Sequence, residues 1–185
     1  MHEVIVDLAA LVGSQMTRPG VSQFDRHAAS LRQPGRTWLS LGLMHLTETQ
    51  MHFLVTNRAA AMITVGDDGR AKAVRVGVAV VAGKVWSSGT RDRVRTQRLR
   101  KDPRCTLLVF EPGFAALTLE TTVEILDGPE VADQSVALFR TMQGKPDGQL
   151  TWYGEELEVE DFRRAMVDQG RIIYEFTIER AYGLD

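Results

Sequence analysis

The stretch from Ala59 to Thr90, AAAMITVGDDGRAKAVRVGVAVVAGKVWSSGT, decides the fold. Two runs of apolar and β-branched residues, AAAMITV and RAKAVRVGVAVV, flank the tetrad GDDG, which is a hairpin signal with a stated turn chemistry. A second turn at Ala82 and Gly83 leads into a third strand, KVWSS. Further along, CTLLVF and FAALTLETTVEIL predict two more strands joined through EPG, and RIIYEFTIERAYG predicts a last one. Six short strands with few helices between them point to a mainly β, α+β chain whose antiparallel strands close into a small barrel with peripheral helices.

The helices are marked by caps and glycines. In LTETQMHFLVTN, Thr47 and Gln50 have capping-box spacing ahead of Met51, Leu54 and Val55. PEVADQSVALFRTMQG and EDFRRAMVDQG read as helices closed by glycine. Upstream, Val4, Ile5, Leu8, Leu11 and Val12 recur at helical spacing, and TRPGVSQFDRHAASLRQPGR carries two Pro-Gly breaks without a period. Residues 1–45 are therefore expected to be a short helix and an arm, and residues 46–185 the barrel domain.

Composition narrows the function classes. The 185 residues are 44% hydrophobic and 25% charged, as in a soluble globular chain able to bury one core. A lone Cys105 excludes an internal disulfide, and its place at the head of TLLVF predicts a buried strand thiol. MHEVIVDLAALVG lacks a basic leader and carries Glu3 and Asp7, which argues against a signal peptide, and no apolar run is long enough for a spanning helix. A cytoplasmic protein is expected. His2, His27, His45 and His52 are scattered, so no zinc spacing occurs, and neither nucleotide-binding glycine fingerprint is present.

One segment departs from the rest. Arg91 to Arg104 holds seven cations against two anions, a charge of +5 in a chain of net −2. The remainder is acidic, so the positive charge is focal and does not suit a nucleic-acid coat. Strand KVWSS delivers Ser87, Ser88, Gly89 and Thr90 to the start of this run, with Thr90 expected as the N-cap of a helix beginning near Arg91 and stopping at Asp102-Pro103. Hydroxyls and free N–H groups at a helix N-terminus make an anion site. Helical spacing would place Arg91, Arg95 and Arg98 on one face. A solvated helix face is the plain alternative. In AKAVRVGVAVV, alternation puts Val74, Val76, Val78 and Val80 on a core face. Ala71, Ala73, Arg75, Gly77 and Ala79 fall on the other, a smooth face where a flat ring could lie, or where a neighbouring element packs closely.

The order of these elements, with GKVWSSGT, RVRTQRLRKDPR and the closing ERAYG, resembles the split β-barrel flavin and deazaflavin proteins related to pyridoxamine 5′-phosphate oxidase. The branch dependent on coenzyme F420 is the most similar, over about residues 47–183. The resemblance implies an FMN-binding split-barrel type of fold and a homodimer with two cofactor sites in the dimer cleft. It places the family's strand-end hydroxyls on Ser87 and Ser88, and its phosphate-gripping helix cation on Arg95. Arg98 stands where an asparagine is common, and the arginine- and tryptophan-bearing substrate motif of a true pyridoxamine phosphate oxidase is not evident. The expected cofactor-binding set is Arg75, Val76, Gly77, Ser87, Ser88, Thr90, Arg91, Arg95 and Arg98.

The function these residues imply is an F420-dependent reductase passing hydride to an unsaturated or conjugated small molecule, with FMN as the alternative cofactor. The surplus of arginines suits the longer anion, because F420 carries an oligoglutamate tail beyond its phosphate. No catalytic side chain is assigned; Tyr153, Tyr174 and Tyr182 are proton donors by chemistry alone. The rival readings are an FMN-binding oxidase or haem-linked relative, and a non-catalytic F420 carrier.

Overall fold

A computed structural model describes residues 46–184. The expected helix and arm at residues 1–45 lie outside the described residues. Helix α1 (Glu48–Thr56) opens the fold with the capping box read from the sequence: Gln50 N donates to Thr47 Oγ1 at 3.2 Å, and Thr47 N to Gln50 Oε1 at 3.1 Å. Strands β1 (Ala59–Val65) and β2 (Ala71–Gly77) form the antiparallel hairpin across the Gly66–Arg70 turn. Strands β3 (Ala79–Val81) and β4 (Lys84–Thr90) form a second hairpin. Its two-residue loop, Ala82 and Gly83, has φ of 49° and 80°, the positive pair of a type I′ turn.

Helix α2 (Val94–Lys101), β5 (Arg104–Phe110) and β6 (Ala116–Leu126) follow, then α3 (Val131–Gln143). Gly144 closes α3 at φ 66°, as its position at the end of the helical pattern predicts. A small hairpin, β7 (Leu150–Trp152) and β8 (Glu155–Leu157), precedes α4 (Val159–Asp168) and the long β9 (Arg171–Tyr182).

The main sheet has seven strands in the order β2-β1-β5-β6-β9-β4-β3, all neighbours antiparallel, so six is corrected to seven. The difference lies in RAKAVRVGVAVV. Val78 leaves the strand and donates its N–H to Arg58 O at 2.8 Å, and the run divides into the two edges of the sheet. Because those edges are separated by one residue of chain, the sheet must curl until they approach, and β2 touches β4. The β7–β8 pair was not anticipated, since three-residue strands show no measurable alternation.

Alternation sorts the core into two layers. Val74, Val76, Val78 and Val80 do face the interior of the curl, with Met62, Leu107, Leu119, Tyr174 and Phe176. Each fully buried side chain of this size contributes about 1.5–3 kcal/mol. Gln50 Nε2 ties α1 to Gly183 O at 3.2 Å, where β9 ends, while Thr96 and Leu99 of α2 are buried where β9 begins. The outer face of β3, β4 and β9 is covered by α3, α4 and β7, through Trp86, Ile173, Phe139, Trp152, Phe162 and Met166. The outer face of β2, β1 and β5 carries Ala71, Ala73, Gly77, Ala59, Ala61, Ile63 and Leu108, all at least partly exposed.

Candidate functional site: an arginine seat at the end of β4

Adjacent residues on a strand point to opposite faces, and β4 shows what this does to the serine pair. Ser87 lies on the inner face with Val85 and is 1% exposed; Ser88 lies on the outer face with Trp86. Both Oγ atoms are buried without a hydrogen-bond partner among the described residues. An unmet buried hydroxyl costs about 1–3 kcal/mol; of the two, only Ser88 is partly exposed and able to meet a ligand. The antiparallel register Ala79↔Trp86, continued backward, carries Gly77 toward Ser88. The edge Arg75–Gly77 thus adjoins the end of β4. There Arg75 is exposed, Gly77 half-buried, and Val76 turns its side chain into the core, leaving only its backbone to offer.

The junction with α2 corrects the expectation in two ways. The helix begins at Val94, three residues later than anticipated, and Arg93 occupies its N-cap with no side-chain hydrogen bond. Thr90 is the last residue of β4; its hydroxyl donates to Asp92 Oδ1 at 2.6 Å and holds that carboxyl below the usual range. Thr90 O accepts instead from Thr96 Oγ1 at 2.7 Å, and the Thr96 hydroxyl meets Tyr174 Oη at 2.5 Å. A buried chain of Thr90, Thr96 and Tyr174 therefore pins strand to helix, which assigns Tyr174 a structural place.

Arg91 consequently stands outside the helix and does not extend the Arg95–Arg98 stripe. Its Nη2 donates to Asp127 O at 2.7 Å, and Arg100 pairs with the Asp127 carboxylate at 3.1 Å. Lys101 pairs with Asp67 at 3.0 Å and Arg104 with Asp102 at 2.7 Å, the last pair drawing Asp102 down to about 2. Four cations of the basic run are thus spent on the ends of the sheet. Arg95 and Arg98, one turn apart on α2, are half-buried, make no ion pair among the described residues, and bury their Nε atoms without a partner.

Sequence reasoning missed a further cation. Arg171 opens β9 directly opposite Thr90, and Arg91 N donates to Gly170 O at 3.0 Å. Its guanidinium carbon lies 4.6 Å from the ring centroid of Trp152, a cation–π distance. Burial lowers the Arg171 pKa, and its register opposite Thr90 sets it at the end of the strand from which the chain passes to α2. Tyr153, whose ring is tilted 59° to Trp152 at 4.7 Å, completes the wall. In its type I′ turn Tyr153 has φ 50° beside Gly154 at φ 87°. For a non-glycine residue that conformation costs about 1–3 kcal/mol. The available signal was RIIY following the helix-closing Gly170, which sets an arginine at the mouth of a strand whose neighbour ends in SSGT.

The remaining candidates resolve plainly. Tyr182 is exposed at the end of β9, its hydroxyl 3.4 Å from Glu120. Cys105 is a buried strand thiol, as expected, and burial pushes it up to about 11. No helix of the described residues is long and apolar enough to cross a membrane.

A curled antiparallel sheet with helices at its ends and on one face is the architecture of the split-barrel proteins, a class of oxidoreductase-like folds that hold flavin-type cofactors. The chain belongs to the pyridoxamine 5′-phosphate oxidase family, whose model matches residues 46–185. Among solved structures it is similar to a conserved hypothetical protein of Mycobacterium tuberculosis, with 21% identity and a TM-score of 0.57 over 76% of this chain and 85% of that one. It is similar also to an F420 reductase, at 15% identity and a TM-score of 0.54 over 74% and 98% of the two chains. A FAD-binding protein of Mesorhizobium loti aligns at 16% identity and a TM-score of 0.52, over 75% and 94%. At such identities the likeness is one of fold.

Proposed function

We propose that the protein is a coenzyme F420-dependent reductase acting on an unsaturated or conjugated small molecule. The observation that carries this reading is the set of guanidinium groups that have no carboxylate partner among the described residues: Arg95 and Arg98 on α2, with Arg171 opposite Thr90. Ser88, on the outer face of the same strand end, has a hydroxyl without a partner among the described residues. One phosphate satisfies two or three such donors. A cofactor that continues past its phosphate into a chain of carboxylates gives the remaining cations something to meet.

The residues present fit such a group. Arg95 holds the phosphate, with Ser88 beside it on the outer face of β4. Arg98 and the exposed Arg93 lie where the acidic tail leaves the seat. Arg75 and Gly77 form the edge against which the ring system rests, with the Val76 side chain holding that edge to the core. Bound there, the deazaflavin supplies hydride, while the protein binds, orients and shields it. The smooth outer face of β2, β1 and β5 is proposed as the contact with a second copy of the chain, giving a homodimer with the cofactor edge at its border.

Titration with F420 and with FMN, followed by cofactor fluorescence, tests the reading. Tight F420 binding with FMN at least tenfold weaker is expected. Preference for FMN would replace the deazaflavin with a flavin and leave the outer arginines solvated.

A further inference from the structure

The arginine at the mouth of β9 has no partner that explains its position. Arg171 spends its donors on the neutral Gln169 Oε1, at 3.1 and 3.3 Å, and on Tyr153 Oη at a long 3.4 Å. Among the described residues it forms no ion pair, although it is partly buried and stands directly opposite Thr90, where β4 ends. A half-buried guanidinium whose partners are all neutral keeps its charge unpaired, and an oxyanion brought to it offsets that cost. The Trp152 ring, 4.6 Å from the guanidinium carbon, holds the head group at the mouth of β9, and the bonds to Gln169 and Tyr153 use Nε and Nη2 and leave Nη1 for a ligand. Tyr153, in the left-handed region at φ 50°, has its ring centroid 4.7 Å from that of Trp152.

We propose that Arg171, braced on Trp152, is the second guanidinium of the anion seat, gripping the cofactor phosphate from the strand side while Arg95 grips it from the helix side. The ligand class is a phosphate ester, whose tetrahedral oxygens can be shared by two forks arriving from different elements, which a single planar carboxylate does less well. The inference rests on the reading of a phosphate-bearing cofactor at the end of β4. It adds a residue that the sequence pattern of the basic run does not contain. It also gives the β7–β8 hairpin a task, which is to carry the aromatic platform.

The test compares ligands that differ only in the phosphate: F420 with its phosphate-free deazaflavin nucleoside, and FMN with riboflavin. Arg171→Met removes the charge and keeps the length; Arg171→Lys keeps the charge without the planar fork. Arg171→Met is expected to weaken the phosphate-bearing member by about ten- to a hundredfold. It should leave the phosphate-free member within about twofold. Arg171→Lys should recover part of the loss. The double variant with Arg95→Ala should lose less than the product of the single losses, because both groups hold one anion.

Equal weakening of phosphate-bearing and phosphate-free ligands would make Arg171 a structural brace and overturn the proposal. So would an Arg171→Met protein that binds F420 like the wild type while Arg95→Ala does not. If the wild type takes FMN and ignores F420, the deazaflavin reading falls, and the FMN and riboflavin pair still decides the role of Arg171. Melting curves of each variant separate misfolding from lost contact.

Discussion

Gly89 lies directly beneath the phenol ring of Tyr174: a Cβ added to Gly89 would sit 2.5 Å from Tyr174 Cε2. The ring cannot yield, because Tyr174 is fully buried and its hydroxyl is held by Thr96. This contact sets the path of β4 just before the arginine seat, so a glycine in the middle of a strand has a packing reason here.

Gly89→Ala is therefore expected to destabilise the protein by about 1–3 kcal/mol through overpacking. Denaturant unfolding measures it. Combining it with Tyr174→Leu should restore part of the loss relative to the sum of the single variants. A neutral Gly89→Ala would mean that the ring lies elsewhere.

The basic run divides into cations paired among the described residues and cations proposed to bind the cofactor, and two variants should behave oppositely. Arg95→Ala removes a charge-assisted bond to the phosphate and should weaken cofactor binding by about 1.5–3 kcal/mol, with little effect on unfolding. Arg100→Ala breaks an exposed pair with Asp127 and should cost about 0.2–1 kcal/mol of stability while leaving the cofactor dissociation constant unchanged. Titration and thermal melting of both proteins distinguish the roles. Equal effects on binding would return the helix to a diffuse positive surface.

Cys105 should be inert. With its pKa raised to about 11 by burial, the thiolate fraction at pH 8 is about one part in a thousand. A thiol reagent added to native protein at pH 8 is expected to react orders of magnitude more slowly than with urea-unfolded protein. Rapid native labelling would mean that β5 opens readily.

Ala61 tests the dimer. It sits between Arg75 of β2 and Leu108 of β5 on the outer face that no helix of the described residues covers. Ala61→Arg should leave far-ultraviolet circular dichroism unchanged and convert a dimer to a monomer in sedimentation velocity. Cofactor affinity should fall with it if the site borders the dimer contact. A wild-type monomer would remove the second copy from the proposal.

Much of this molecule was legible because its signals are local. The capping box at Thr47 and Gln50, the turns at Gly66–Arg70 and Ala82-Gly83, the Gly144 helix stop and the valine face of β2 and β3 each depend on neighbours within a few residues. The serines and the Arg95–Arg98 stripe were legible for the same reason, since a strand end and a helix face have fixed periods.

Other features arise only when distant segments meet. Alternation runs unbroken through Val78, so nothing in the chain's own pattern shows that Gly77 and Ala79 belong to opposite edges of a sheet; the curl that closes the sheet decides it. The Thr90–Thr96–Tyr174 chain moved the helix start from Arg91 to Val94, because a buried hydroxyl pair joining β9 to α2 outweighs the capping preference of one threonine. The partition of the arginines was equally hidden. Asp127 and Asp67 claim Arg100 and Lys101 from the ends of other strands, and Arg171 reaches the seat from the far end of the sequence. The sequence by itself determined where along the chain positive charge is concentrated; only the tertiary structure decided which of those charges are paired among the described residues and which are not. Coulombic compensation depends on distances between segments that no local period encodes.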